Sequence, residues 1–149
     1  MKHIPRRSPF ATLATVLLLA LLATTARAEM RQYGSFEVHY SVFSSSFLQP
    51  GIAAAYGIVR AKDRALINIA VRRGTGDAAT VSAVLSGTRG DLIRKTPLEF
   101  REIREEQAVY YIAEFGFVSG ETQYFDIAIQ PAGETRPLVL QFNHVLYAD

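Results

Sequence analysis

From residue 35 onward the apolar residues of this chain recur at every second position, the pattern of strands with one face buried. Residues 35–43 set Phe36, Val38, Tyr40 and Val42 on one face and Glu37, His39 and Ser41 on the other. The alternation returns in 65–73 with Ile67, Ile69 and Val71, in 80–87 with Val81, Ala83 and Leu85, and in 97–103 with Leu98 and Phe100. It recurs in 108–115 (Val109, Tyr111, Ala113, Phe115) and in 122–130, where Phe125, Ile127 and Ile129 face inward and Tyr124 and Asp126 outward. Leu138, Leu140 and Phe142 carry it through 138–147. Between these runs stand 74–77, 87–91, 119–121 and 131–134, rich in glycine, which supplies positive φ, with proline ending a ladder for want of an N–H. About seven short strands at this spacing predict an all-β fold, a single antiparallel β-sandwich of immunoglobulin-like or fibronectin-like type. A small closed barrel is the alternative, and strand order is left open.

Residues 44–57 break the period. Pro50 suits the first turn of a helix, Ala53, Ala54 and Ala55 propagate one, and Gly57 suits the position just past its end, so one short helix is expected near 50–57. Phe47, Leu48, Ile52 and Tyr56 make this segment apolar for a connection. They either cap one open end of the sandwich or form a partner-binding surface. The basic stretch that follows, Arg60, Lys62 and Arg64, is a candidate anion-binding patch, with a solvated loop as the plain alternative.

The N-terminus reads as a cleavable secretory signal, residues 1–28. Lys2, Arg6 and Arg7 precede an uncharged run from Phe10 to Leu22, and Ala26-Arg27-Ala28 fits the small-x-small cleavage rule. The run is shorter than the roughly 20 residues that a spanning helix needs. Cleavage after Ala28 would leave one domain, 29–149, in the bacterial periplasm with no stable membrane anchor. The whole chain carries a net charge of +2. Residues 29–149 hold 12 Lys and Arg against 14 Asp and Glu, so bulk charge gives no reason to expect nucleic acid as a partner. The chain has no cysteine, so neither a lipoprotein anchor nor a disulfide scaffold is available, and the core must hold the fold unaided.

Chemistry-bearing residues are sparse. His39 and His144 lie far apart in sequence, and without cysteine no structural zinc pattern exists. The run Ser44-Ser45-Ser46 lacks the glycine elbow of a serine nucleophile and reads as turn and capping residues. Glu99, Glu102, Glu105 and Glu106 alternate with Arg101 and Arg104, the pattern of a solvated face. No catalytic, cofactor-binding or metal-ligating residue is therefore assigned.

Four blocks carry a family likeness: 46–50 (SFLQP), 54–60 (AAYGIVR), 68–71 (NIAV) and 97–102 (PLEFRE). In this order, behind a signal segment, they resemble the domain of unknown function 4426 family, small exported proteins of Gram-negative bacteria. The resemblance implies an exported β-sandwich; it supplies no activity and no catalytic residue. The expected function is a non-catalytic periplasmic binding or interaction module with a protein partner. The alternatives are an accessory structural domain without its own ligand, or an enzyme with an unrecognised site. Intact-mass measurement on the periplasmic fraction should find a chain beginning at Glu29; recovery of the full-length chain from the inner membrane would mean an uncleaved anchor.

Overall fold

The computed structural model describes residues 28–74 and 79–148. The signal segment, apart from Ala28, and most of the 74–77 turn lie outside the described residues. The described chain runs β1 (Glu29–Tyr33), β2 (Phe36–Ser44), a 3-10 turn (Ser45–Phe47), α1 (Pro50–Ala55), β3 (Arg64–Arg73), β4 (Ala83–Gly90), β5 (Lys95–Pro97), β6 (Arg101–Glu105), β7 (Ala108–Gly116), β8 (Thr122–Pro131) and β9 (Leu138–Val145). A five-stranded sheet, β1-β2-β3-β7-β6, faces a four-stranded sheet, β5-β4-β8-β9, and all neighbours are antiparallel. This is the β-sandwich that the period of two predicts.

Alternation fills the space between the sheets. Val38, Tyr40 and Val42 of β2, Ala65, Ile67, Ile69 and Val71 of β3, and Tyr111, Ala113 and Phe115 of β7 meet Phe125, Ile127 and Ile129 of β8 and Leu140 of β9. Towards one end the rings stack: Phe125 and Phe142 lie parallel with centroids 4.6 Å apart, Tyr40 sits 4.6 Å from Phe142, and Phe115 meets Phe125 edge-on at 5.5 Å. Such pairs add roughly 0.5–1.5 kcal/mol each beyond the area they bury. Elsewhere the Tyr111 hydroxyl crosses the gap, accepting from the Ala83 N–H at 2.7 Å and donating to Glu102 at 3.1 Å. Burial raises its pKa. The edge strands β1 and β9 are joined by the Tyr33 hydroxyl, which donates to the Val139 carbonyl at 2.8 Å.

The structure departs from the sequence reading in four places. β1 carries no alternation and was not expected; it is an edge strand paired along its whole length with β2. The run 97–103 is two elements, not one strand. Pro97 ends β5, and 98–100 carries the chain from the smaller sheet to the larger, with buried Leu98 donating its N–H to the Gly87 carbonyl at 2.9 Å. Residues 87–90 are not a turn but the end of β4, which pairs with β5; the reversal falls at Asp91–Arg94. Gly90 is required there, because a Cβ would stand 1.9 Å from the Arg94 carbonyl oxygen. Finally, Glu37 and Ser41, on the face expected to be polar and outward, are both buried.

Two measurements check the packing. Leu140 is fully buried between the sheets, so Leu140→Asp should abolish cooperative melting. An unpaired carboxylate there costs several kcal/mol, against the roughly 5–15 kcal/mol that holds such a domain together. A wild-type melt would place Leu140 outside the core. His144 is half-buried, and burial lowers its pKa while the Glu29 carboxylate pulls the other way. The folded state thus binds the proton less readily than the unfolded one, so this contribution is complete above the unfolded value of about 6.5 and is lost as pH falls through the folded value. His144→Gln should flatten the loss of melting temperature on acidification; an unchanged pH dependence would remove His144 from the account.

Candidate functional site

Strand β3 is buried on both faces, and the segment between β2 and β3 supplies the outer cover. Phe43 and Leu66 point away from the sandwich and pack with Ala53 and Ile58, joined by Leu48, Tyr56 and Ile112. The expected helix is present as α1, with Pro50 in its first turn. Gly57, at φ 63°, ends it. The Ile58 N–H returns to the Ala53 carbonyl at 2.8 Å and the Gly57 N–H to Ala54 at 3.2 Å, the paired bonds of a Schellman ending. Ile58 is thereby folded back onto Ala53. The segment lies as a strap across a face of the larger sheet rather than over an end of the sandwich.

Polar side chains fasten the strap. The Ser44 hydroxyl accepts the Ser46 N–H at 3.3 Å. Ser45 is fully buried; its hydroxyl donates to the Ala61 carbonyl at 3.2 Å and accepts the Ala61 N–H at 3.0 Å. The serine run is thus structural hardware. At the other margin Arg101 donates to the Tyr56 carbonyl at 3.0 Å and to Glu114 at 2.8 Å, and the Tyr56 hydroxyl donates to Glu105 at 3.0 Å. Burial, then the Glu105 carboxylate, raises the Tyr56 pKa. Between strap and sheet runs a groove walled by Ile52, Tyr56, Ile103 and Tyr110, with about 30 Å³ of free volume. That is an order of magnitude below the roughly 300 Å³ at which ligand pockets begin. One polar atom on its floor, the Asn68 side-chain oxygen, is buried without a hydrogen bond among the described residues.

Of the four candidate partner-binding residues, Ile52 is buried and Leu48 and Tyr56 are half-buried, while Phe47 is 52% exposed. Val59, 58% exposed, stands at the strap's other end. Arg60 links the two ends by donating to the Ser46 carbonyl at 2.9 Å. Of the candidate anion-binding residues, then, Arg60 is partly engaged. Arg64 pairs with Glu114 at 3.6 Å, and Lys62 is exposed. The sequence reading missed Phe43, Leu66, Ile103 and Ile112. Their signal was present: each is apolar where the period of two calls for an outward polar residue.

The histidines remain apart in role. His39 Nε2 lies 3.2 Å from Glu37 Oε2, and His144 is on the inward face of β9 opposite Gln123. Among the described residues no three His, Asp or Glu side chains are grouped to hold a metal. A second concavity, about 450 Å³, opens on the outer face of the smaller sheet beside the β4–β5 reversal.

No curated protein matches the chain. Among solved structures it is similar to a DUF4426 family protein from Pseudomonas aeruginosa, at 37% identity and a TM-score of 0.70, over 82% of this chain and 96% of that one. It is also similar to FetP of uropathogenic Escherichia coli strain F11, a protein recombinantly expressed in the periplasm, at 11% identity and TM-score 0.57, over 81% of this chain and 94% of that one. A copper-bound variant of FetP gives 11% and 0.58, over 83% and 97%. At that identity the FetP likeness is one of fold alone. The family model for the domain of unknown function DUF4426 matches residues 30–149, and with a 37% identical relative sharing the fold, the chain belongs to the DUF4426 family.

Proposed function

We propose that this protein is an exported, non-catalytic binding module of the bacterial periplasm that engages a protein partner through the strap. One observation carries the reading: Phe47 and Val59 are both more than half exposed, and the residues that adjoin them, Ser46 and Arg60, are joined by a hydrogen bond that ties the two ends of the strap. Exposed apolar side chains rimmed by polar groups mark protein interaction sites, and a few such residues carry most of the binding energy. Arg60 and Lys62 give this apolar centre a basic rim, so the partner that fits presents an apolar side chain ringed by acidic groups. The groove behind the strap is too small to take a ligand of its own, which favours surface docking over a small-molecule pocket. The signal-like N-terminus and the likeness to a protein produced in the periplasm support the location. FetP's copper-bound variant suggests metal binding as a second reading, and the Glu37–His39 pair supports it. Two such ligands hold a metal weakly, so the partner reading stands first.

Crosslinking in intact cells, read together with thermal melting, tests the proposal. Phe47→Ala should melt like wild type and lose the crosslinked partner, and Arg60→Glu should weaken capture. Leu48→Ala and Tyr56→Ala, which also pack on the sheet, should lower stability by about 1–3 kcal/mol. If capture follows the amount of folded protein in every variant, the strap is only a cover for the sheet.

A further inference from the structure

On the opposite side of the molecule, the smaller sheet turns a polar outer face to solvent, and nothing in the described chain covers it. Its floor comes from cross-strand pairs of β8 and β9: Tyr124 beside Asn143, and Asp126 beside Gln141. In the first row Gly90 stands between Tyr124 and Lys95 and contributes no side chain. The β4–β5 reversal forms a wall. Its shape is set by Asp91, whose carboxylate accepts the Ile93 N–H at 2.7 Å and the Arg94 N–H at 2.5 Å. Those two backbone bonds, Arg94's first, hold the Asp91 carboxyl below its usual pKa. The wall displays Leu92, 78% exposed, towards a concavity of about 450 Å³, well inside the range of ligand pockets.

The chemistry of this concavity is specific. Among the described residues the Tyr124 hydroxyl and the Gln141 and Asn143 amides make no hydrogen bond, so two amides and a phenol offer donors and acceptors together with an aromatic face. Lys95 is 3.7 Å from Asp126. With Asp91 the lining holds one lysine against two aspartates, and Asp91 also lies near Arg94 of the same reversal, so the charges balance and no excess positive charge is left to draw an anion such as phosphate. A ligand fitting this set is uncharged, dense in hydroxyls and flat on one side, so that it can lie on a ring. We propose that the outer face of the smaller sheet binds a neutral oligosaccharide, one sugar stacking on Tyr124 while neighbouring hydroxyls bond to Gln141 and Asn143. This site shares no residue with the strap and stands whether or not the strap binds a partner.

Titration of the purified exported protein with chitotetraose, cellotetraose and maltotetraose, followed by tyrosine fluorescence and by amide NMR shifts, tests it. One or more should bind with a Kd of about 1 mM or tighter, moving β8 and β9 signals. Preference for chitotetraose would point to amino-sugar glycans of the cell wall, and preference for the others to glucans. Tyr124→Ala should weaken binding about tenfold, and Asn143→Ala and Gln141→Ala about fivefold each. Tyr124→Phe, which keeps the ring, should stay near wild type. All three positions lie on the outer face of the smaller sheet, so the variants should melt normally. No binding by any of the three sugars, binding unchanged by Tyr124→Ala, or stronger binding of inorganic phosphate would each overturn the proposal. None of these outcomes would alter crosslinking by the strap, so the two readings fail separately.

Discussion

Strand β3 has apolar side chains on both faces, and the rest of the structure is arranged to cover them. Ala65, Ile67, Ile69 and Val71 meet the smaller sheet, while Leu66 points the other way beside Phe43 of β2. An antiparallel sheet ordinarily needs cover on one face only. Leaving the second face bare would forfeit roughly 1.5–3 kcal/mol for each large side chain, a serious loss in a domain without a disulfide. The long connection between β2 and β3 is the cover, and it has to be apolar where it touches the sheet.

A six-residue helix has no stability of its own, so the strap holds its shape through tertiary contacts. Ser45 supplies both a donor and an acceptor to the Ala61 backbone and pins the two ends of the strap together. Glu114 collects Arg101, Arg64 and the Val59 N–H on one half-buried carboxylate. An exposed ion pair alone is worth little. Several donors converging on one carboxylate fix geometry as well as charge. Arg64 of the basic 60–64 stretch and Glu114 of β7 are therefore parts of one fastening.

Much of this fold is legible in the sequence because a period of two has one physical meaning. The inward faces of β2, β3, β7, β8 and β9 follow from it, and the helix at Pro50 follows from Pro50, the alanines and Gly57. What could not be read comes from tertiary pairing. β1 is a strand because β2 offers an edge, whatever its own residues prefer. β5 and β6 look like one strand because Leu98 and Phe100 keep the alternation while the chain changes sheets. The strap was visible as an apolar anomaly, but its place on a face required knowing that Phe43, Leu66 and Ile112 fall on one side of adjacent strands.

The two outer faces of the sandwich obey different constraints, and the difference bears on function. On the larger sheet Phe43, Leu66 and Ile112 demand a cover, so the strap's position follows from stability, and only the groups it leaves exposed call for another explanation. On the smaller sheet Tyr124, Asp126, Gln141 and Asn143 are content in water, and stability neither requires nor forbids a cover. Folding gives no reason for a tyrosine and two amides to be gathered without hydrogen bonds beside a reversal fixed by Asp91. Nor does it give one for Leu92 and Ile93 to stand 78% and 91% exposed at its tip. Isolated exposed apolar residues are common, but here Leu92 borders a concavity large enough for a ligand. Polar groups left free by the fold at such a place are available to one.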